Sequence, residues 1–299
     1  MKKHNIVFIL SIFSLFLCIC GCKTTPQDTK VNPLELLDNK SQFYFRIPTS
    51  VDPVLVEKML KSNVASLTDN DAKLIVSRLN TIYVGYTRRK KSAEYQISTE
   101  CNFPKAAVSK VFSKKNGFHT ESLSLQSNSG LTSYDIYSNN NLDISFPTQS
   151  IACLGRSIQD MITEYNRIEN QYPQENFPSI SAEMFEYLNY DSQEDDAKVV
   201  FWATNPYSFL TLLTGAQLNL ALSYVRGSFI CDPKLGKQYI MSFEFEFKDE
   251  RVVRAAKSAL MLAFGLADST VTMTSPTNIS ISGIKISKEQ IYKIFALSR

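Results

Sequence analysis

The five residues Phe243-Glu244-Phe245-Glu246-Phe247 alternate strictly between aromatic and acidic side chains. Because successive side chains of a β-strand point to opposite faces, this pattern predicts a strand with Phe on its buried face and Glu on its solvated face. The strand extends over residues 238–247 and pairs with residues 220–230. Glu244 and Glu246 are therefore interpreted as outward carboxylates rather than as an acid–base pair.

Further elements follow on both sides of this strand pair. A strand and a helix precede it, and a helix, two strands and a closing helix follow it. Asp249 is a suitable cap for the first of these later helices, and Ser287 with Gln290 supplies a capping box for the last. The remaining predicted ranges of this half are 198–204 (strand), 206–213 (helix), 249–265 (helix), 270–274 and 278–284 (strands).

The first half of the chain repeats the same order of elements. It reads β-α-β-β-α-β-β-α, as the second half does, with one additional helix and one additional strand. The predicted strands are 43–47, 81–87, 93–100, 123–126, 133–137 and 142–146. The predicted helices are 51–61, 71–79, 150–169 and a helix with Pro104 in its first turn that stops near Asn116-Gly117.

This repeated order predicts an α+β fold, with mixed or antiparallel sheets and helices packed on one face. We interpret the two similar halves, at 41–170 and 198–299, as an internal duplication, and whether they share one sheet stays open. Residues 171–197 contain prolines, an acidic run and a short helical stretch at 184–188. This composition predicts a connector between the halves.

The amino terminus has the three parts of an export signal. Lys2 and Lys3 are followed by an apolar run over residues 6–19 and then by Cys20-Gly21-Cys22. The apolar run is shorter than the roughly 20 residues that a helix needs to cross a bilayer. We therefore interpret it as a cleaved signal rather than a lasting membrane span.

The residues Ile19-Cys20-Gly21-Cys22 resemble the lipobox of bacterial lipoproteins that are cut by the lipoprotein signal peptidase. The resemblance implies removal of residues 1–21, with Gly21 as the small residue before the cut, and acylation of Cys22, while Cys20 is the weaker candidate. Residues 22–40 then form a flexible tether. Because Lys23 follows the cysteine, the resemblance implies the outer membrane, on its periplasmic or surface face, in a host with two membranes.

The chain as a whole is also similar to uncharacterised envelope lipoproteins of spirochaetes and other diderm bacteria. Its composition after processing is nearly neutral. Loss of Lys2 and Lys3 from the 32 basic residues leaves 30 against 29 acidic residues, a formal charge of +1. This balance gives no electrostatic case for nucleic acid as a partner. Cys101, Cys153 and Cys231 remain as an odd number of unmodified thiols, so that one disulfide or three buried thiols are both open.

No phosphate loop, dinucleotide-binding turn, zinc helix, serine-hydrolase elbow or paired C-x-x-C occurs in the mature sequence, and no cofactor or metal is predicted. His119, the one mature histidine, is interpreted as a solvated loop residue. The basic run Arg88–Lys91 is interpreted as a charged hairpin turn rather than a headgroup or glycan contact. Trp202, with Phe201, Tyr207 and Phe209, is interpreted as core rather than pocket.

These observations favour a membrane-anchored envelope lipoprotein with a non-enzymatic binding or structural role. Its partners are the membrane and an envelope protein, a glycan or a hydrophobic ligand. One alternative is a carboxylate-dependent hydrolase of peptidoglycan or another glycan, which needs two acidic side chains about 5–9.5 Å apart across a cleft. The other is a carrier of a lipid or small hydrophobe, which needs an apolar cavity.

Overall fold

The fold is one antiparallel sheet of twelve strands. The computed structural model describes residues 31–63, 68–88, 93–139, 142–173, 177–189, 198–207, 210, 220–231, 238–264 and 269–295. The strands are β1 Phe43–Pro48, β2 Leu79–Arg88, β3 Ala93–Cys101, β4 His119–Ser127, β5 Gly130–Asn139, β6 Leu142–Ser145, β7 Ile151–Gly155, β8 Lys198–Ala203, β9 Leu222–Cys231, β10 Gln238–Phe247, β11 Thr270–Ser275 and β12 Asn278–Ser287. Their order across the sheet is β11-β12-β10-β9-β8-β1-β2-β3-β7-β6-β5-β4.

The described residues also form seven α-helices, and the α+β class is confirmed. They are α1 Pro53–Asn63, α2 Asp69–Val76, α3 Lys105–Val111, α4 Ile158–Glu169, α5 Ala182–Asn189, α6 Val253–Phe264 and α7 Lys288–Phe295. Short 3-10 helices lie at Pro33–Leu36, Lys114–Asn116 and Glu250–Val252. The predicted capping box of α7 is present, because Gln290 N donates to Ser287 Oγ and Ser287 N donates to Gln290 Oε1.

The two halves share this sheet, because β1 of the first half pairs with β8 of the second. Counted outward from that pair, the strands read β1-β2-β3-β7 on one side and β8-β9-β10-β12 on the other. The strands inserted beyond β7 are β6, β5 and β4. The two halves therefore have the same relative strand order, and internal duplication stays a prediction.

Helices pack on both faces of the sheet, so the prediction of a single covered face is wrong. The front face carries Phe45 and Phe201, which pack with α1, α2, α6 and α7. The back face carries Tyr44 and Trp202, which pack with the 3-10 helix Pro33–Leu36, α4 and α5. The reason lies in the central strands β1 and β8, whose side chains are buried at nearly every position. A strand buried on both faces needs cover on both.

The predicted helix at 150–169 is also wrong in its first third. Ile151–Gly155 is strand β7, inserted between β3 and β6, and α4 begins only at Ile158. Its first three residues are buried, and such a short apolar run has the same periodicity in a buried strand as in a buried helix. The break falls at Gly155 and Ser157, which have φ values of 99° and 57°.

The predicted tether at 22–40 is wrong for its last ten residues. Val31, Leu34, Leu36 and Leu37 are each at most 1 % exposed and belong to the back-face core. The closely spaced apolar residues around Pro33 are the feature of the sequence that indicates a buried segment here. Asn32 caps the 3-10 helix, since its side chain accepts from Leu34 N while Glu35 reaches back to Asn32 N.

The connector at 171–197 contains α5, which agrees with the helical stretch predicted there and packs through Met184 and Leu188 into the back-face core. In β10, Phe and Glu alternate between the two faces as predicted, with Phe243, Phe245 and Phe247 buried on the front face. The predicted helix at 206–213 lies largely outside the described residues.

A close approach between neighbouring strands makes Gly227 of β9 sensitive to substitution. A methyl group at this position would lie 2.1 Å from the Ser242 carbonyl oxygen of β10 and 2.9 Å from the Phe201 ring. We expect Gly227→Ala to lower the free energy of unfolding by about 3 kcal/mol, because β10 or the ring must shift. Urea denaturation of the purified chain measures this.

Gly117→Ala is the matched control. Gly117 has φ +82°, but nothing lies within 4 Å of an added methyl group. It should therefore cost only the left-handed backbone strain of about 1 kcal/mol. Equal losses in the two variants would contradict the packing explanation for Gly227.

Candidate functional site

The residues singled out in the sequence do not form one site. Gly21 and Cys22 lie outside the described residues, and so does most of the basic turn after Arg88. His119 is exposed at the start of β4, where its Nε2 atom lies 4.0 Å from Glu121. The aromatic group divides between the two faces, since Phe201 points to the front and Trp202 to the back, while Tyr207 is exposed. Phe209 lies outside the described residues.

The three remaining cysteines stand apart. All three thiols are free; Cys101 belongs to the front-face core and Cys153 to the back-face core, so the sheet itself separates them. Burial raises the pKa of Cys101 to about 12, which keeps it protonated at neutral pH. Cys231, at the end of β9, is half-buried. The reading of Cys101 and Cys153 as small buried apolar residues fits these positions.

A buried polar cluster instead fixes the start of the described chain to the back face. We call it the amino-terminal dock; it consists of Asp38, Ser41, Tyr44, Gln96 and Arg156. The Asp38 carboxylate accepts from both ends of the Arg156 guanidinium, with Nη1···Oδ2 2.6 Å and Nη2···Oδ1 2.8 Å. Arg156 Nη2 also donates to Ser41 Oγ at 3.0 Å. The paired fork geometry makes this a strong, directional contact.

Backbone groups of the same segment are satisfied by the sheet. Asp38 N donates to Gln96 Oε1 at 2.9 Å, and Tyr44 Oη donates to the Asp38 carbonyl at 2.7 Å while accepting from Ser41 N. Burying these groups without partners would cost free energy at each one. The dock therefore holds residues 31–41 as part of the body.

Glycine makes room for the dock on the strands beneath it. Gly85 of β2 faces Gln96 across the strand pair, and a methyl group at Gly85 would lie 2.8 Å from Ser41 Oγ. Gly155 faces Gln96 from the other side, on β7. A methyl group at Gly85 would force the Ser41 side chain, which accepts from Arg156, to shift.

Burial and hydrogen bonding within the dock shift the pKa values of Asp38 and Tyr44. Burial alone would raise the pKa of Asp38, but the hydrogen bonds from Arg156 and from Lys40 N outweigh it, so the pKa lies below the usual 3.8. Burial raises the pKa of Tyr44 to about 12, so its hydroxyl remains a donor. At neutral pH the pair Asp38–Arg156 is therefore fully charged.

A second cluster surrounds Arg226 on the back face of the second half. Its Nε donates to Glu244 Oε2 at 2.7 Å, and its Nη1 lies 3.5 Å from Glu183 Oε1 on α5. The guanidinium also lies over the rings of Tyr187 and Trp202, 4.8 and 5.6 Å from their centroids. Glu244 is thus a half-buried ion-pair partner and not the solvated carboxylate that the alternation predicted.

A third cluster ties α1 to α7 through Asp52, which is almost fully buried. Its Oδ2 accepts from Tyr239 Oη at 2.5 Å and lies 2.9 Å from Lys288 Nζ, while its Oδ1 accepts from Leu55 N. Burial would raise the pKa of Asp52, but the hydrogen bonds from Tyr239 and Lys288 outweigh it and lower the pKa. Asp52 therefore caps α1 and holds the closing helix against it.

These clusters have the character of structural ion pairs. A general acid needs a raised carboxyl pKa, whereas the pKa values of Asp38 and Asp52 are lowered. Among the residues described, no group of three or more His, Cys, Asp or Glu side chains is arranged to hold a metal ion. In the same part of the chain, no helix is long and apolar enough to cross a membrane.

A family model described as outer membrane-associated lipoprotein TP0453 matches residues 28–292. The chain therefore belongs to this family. The family confirms the predicted class, a membrane lipoprotein of the cell envelope and outer membrane.

Three solved structures of TP0453 have a similar fold. Crystal form I has a TM-score of 0.65 at 16% sequence identity and covers 89% of this chain and 97% of that chain. Form III has a TM-score of 0.63 at 17% identity, covering 89% and 98%, and form IV has 0.61 at 17%, covering 89% and 97%. The chain matches none of the curated proteins with which it was compared.

The dock predicts a specific loss of stability when its charge is removed. We expect Asp38→Asn to lower the free energy of unfolding by roughly 3 kcal/mol at neutral pH, because Arg156 is left half-buried without its counter-charge. Because the folded-state pKa of Asp38 is lowered, its contribution is present above the usual pKa and is lost as the pH falls through the lowered one. The difference between wild type and Asp38→Asn should therefore shrink towards about pH 3.

Urea denaturation at the two pH values measures this difference. Asp69→Asn is the matched control, since Asp69 pairs with Lys61 on the surface and such pairs contribute little. A dock variant as stable as this control at neutral pH, or a difference that stays constant with pH, would contradict the role given to Asp38.

Proposed function

We propose that this chain is a lipoprotein anchored through acyl chains on Cys22, and that its folded body has a non-enzymatic binding or structural role at the outer membrane. Cleavage before Cys22 by the lipoprotein signal peptidase provides the new amino terminus. The family supports the membrane association. Two or more acyl chains hold a protein firmly, whereas one binds reversibly.

The observation that carries this proposal is the position of the dock. Val31, at the start of the described residues, is buried and lies only nine residues after Cys22. Fully extended, that length of chain spans about 30 Å. A tether that ran freely to residue 40 would span about twice that distance. The docked segment thus supports a body held close to the membrane surface, where it can meet a membrane or envelope partner.

The non-enzymatic part of the proposal rests on the buried acidic side chains. Asp38 is paired with Arg156, Asp52 with Lys288, and Glu164 with Arg167 through two contacts of 2.8 Å. The first two pairs hold separate segments of the chain together, whereas Glu164 and Arg167 pair within helix α4. A glycan hydrolase needs one carboxyl group kept protonated beside a second, and the described acidic residues do not favour that arrangement.

The anchor is tested by Cys22→Ser in the full-length precursor. We expect the variant to lose acylation and to move from the membrane fraction to the soluble fraction, because the attachment point is gone. Cys20→Ser is the control and should remain acylated and membrane-bound. Mass spectrometry of the amino-terminal peptide, together with fractionation, measures both, and a Cys22→Ser form that is processed and retained as before would contradict the proposal.

The role of the body is tested on the purified lipidated chain. We expect no release of soluble fragments from peptidoglycan and no lipid or other hydrophobe that copurifies in a fixed ratio to the protein, as measured by chromatography and mass spectrometry of both fractions. Fragment release that disappears in Glu244→Gln would favour the hydrolase. A copurifying lipid in one-to-one ratio would favour the carrier.

A further inference from the structure

One edge of the sheet carries the features of a pairing surface. Strand β11 pairs with β12 on one side, and no described residue pairs with its other side. Its sequence, Thr270-Val271-Thr272-Met273-Thr274-Ser275, contains no charged residue and no proline, and its register with β12 is irregular only at the end of the strand, between Met273 and Ser275. Natural edge strands are usually protected by charges, proline or a bulge, because an open edge offers a row of unpaired backbone groups.

The opposite edge of the sheet differs. Strand β4 carries His119 and Glu121, which are exposed, and its side chains Leu123 and Leu125 pack into the back-face core beside α4. Two copies of β4 side by side would place the Glu121 carboxylates of both copies in the junction, and a charge on an edge strand opposes pairing. Two copies of β11 would not, because each position is neutral. Among the two edges, β11 is therefore the one suited to pair with an identical strand.

We propose that a second copy of this chain pairs with β11 through its own β11, antiparallel, around a two-fold axis perpendicular to the sheet. The two sheets then continue as one. Thr270 and Thr272 of both copies share the back face, and Val271 and Met273 share the front face. Threonine pairs and apolar pairs are both favourable directly across an antiparallel strand pair.

Exposed apolar side chains lie on the front face near this junction. Met273 is 43 % exposed, and α6, which packs against β11 and β12, exposes Met261 and Leu262 at 51 % and 79 %. Large apolar side chains grouped at one border of a soluble body commonly mark a contact with another protein. The two α6 helices, on the same face in both copies, give the strand junction a second, apolar layer.

The geometry also suits two anchored copies, a point that rests on the proposed function. A two-fold axis perpendicular to the sheet keeps front and back faces on the same sides in both copies. Both amino-terminal docks therefore lie on one side of the joined sheet, and both Cys22 residues can reach the same membrane. Confinement to that membrane raises the effective concentration, so that a weak contact in solution becomes an efficient one.

The pairing is tested without the anchor, in the mature chain with Cys22→Ser, by sedimentation equilibrium over a range of concentrations. We expect a reversible dimer, and we expect Thr272→Lys to raise its dissociation constant at least about fivefold, because two lysines meet at the junction. Ser124→Lys on β4 is the matched control: the same new charge at an exposed position of the other edge. It should leave the dimer unchanged.

Oxidative cross-linking provides the second measurement. In a two-fold antiparallel pair, the residue at the axis lies directly opposite the same residue of the other copy. The Cα atoms of such opposed residues are about 4.5–5.5 Å apart, which is within the range of a disulfide. Either Thr272→Cys or Met273→Cys should therefore form a covalent dimer on oxidation, whereas the parent chain, with its own three thiols, should not.

A chain that stays monomeric at every concentration would overturn the proposal, as would equal effects of the two lysine variants. A dimer unaffected by Thr272→Lys and not trapped by either cysteine variant would place the contact on another surface and also overturn it. Because these measurements use the unanchored chain, their failure is distinct from a failure of the anchor at Cys22.

Discussion

The antiparallel pairing of β1 with β8 is the interaction on which the rest of the structure depends. It runs from Phe43 opposite Ala203 to Arg46 opposite Val200, and it turns two groups of strands into one sheet. Phe45 meets Phe201 on the front face, with ring centroids 6.3 Å apart, and Tyr44 lies opposite Trp202 on the back. Because both faces of this pair are apolar, both require cover, and the helices are distributed accordingly.

A single row of back-face positions connects the polar clusters through this central pair. Reading across the sheet, the row contains Thr272, Ser280, Glu244, Arg226, Trp202, Tyr44, Gly85, Gln96 and Gly155. Aromatic side chains occupy its middle, the Arg226 ion pairs lie towards one edge, and the dock lies towards the other. The Arg226 ion pairs and the Asp38–Arg156 pair are thus held apart by the central aromatic pair, and each is neutralised locally.

Strand alternation and helix capping were predictable because they depend on neighbours in sequence. The Phe and Glu faces of β10 and the Ser287 capping box are examples, and the α+β class follows from them. The errors have another origin. The short apolar run Ile151–Gly155 is compatible with a buried strand and with a buried helix. Its pairing between β3 and β6 determines that it forms a strand. The dock could not be predicted because Asp38 and Arg156 form an ion pair across 118 residues of sequence, and no local pattern around either residue indicates the other. The duplication and Cys22 remain predictions.

The sequence separation of the Asp38–Arg156 pair also gives the molecule an order of assembly. The early segment 31–41 cannot complete its hydrogen bonds until Gln96 and Arg156, both synthesised later, have joined the sheet. Asp38 therefore keeps an unpaired carboxylate until Arg156, directly after β7, reaches the back face. The segment nearest the amino terminus in the described chain is thus among the last to be fixed.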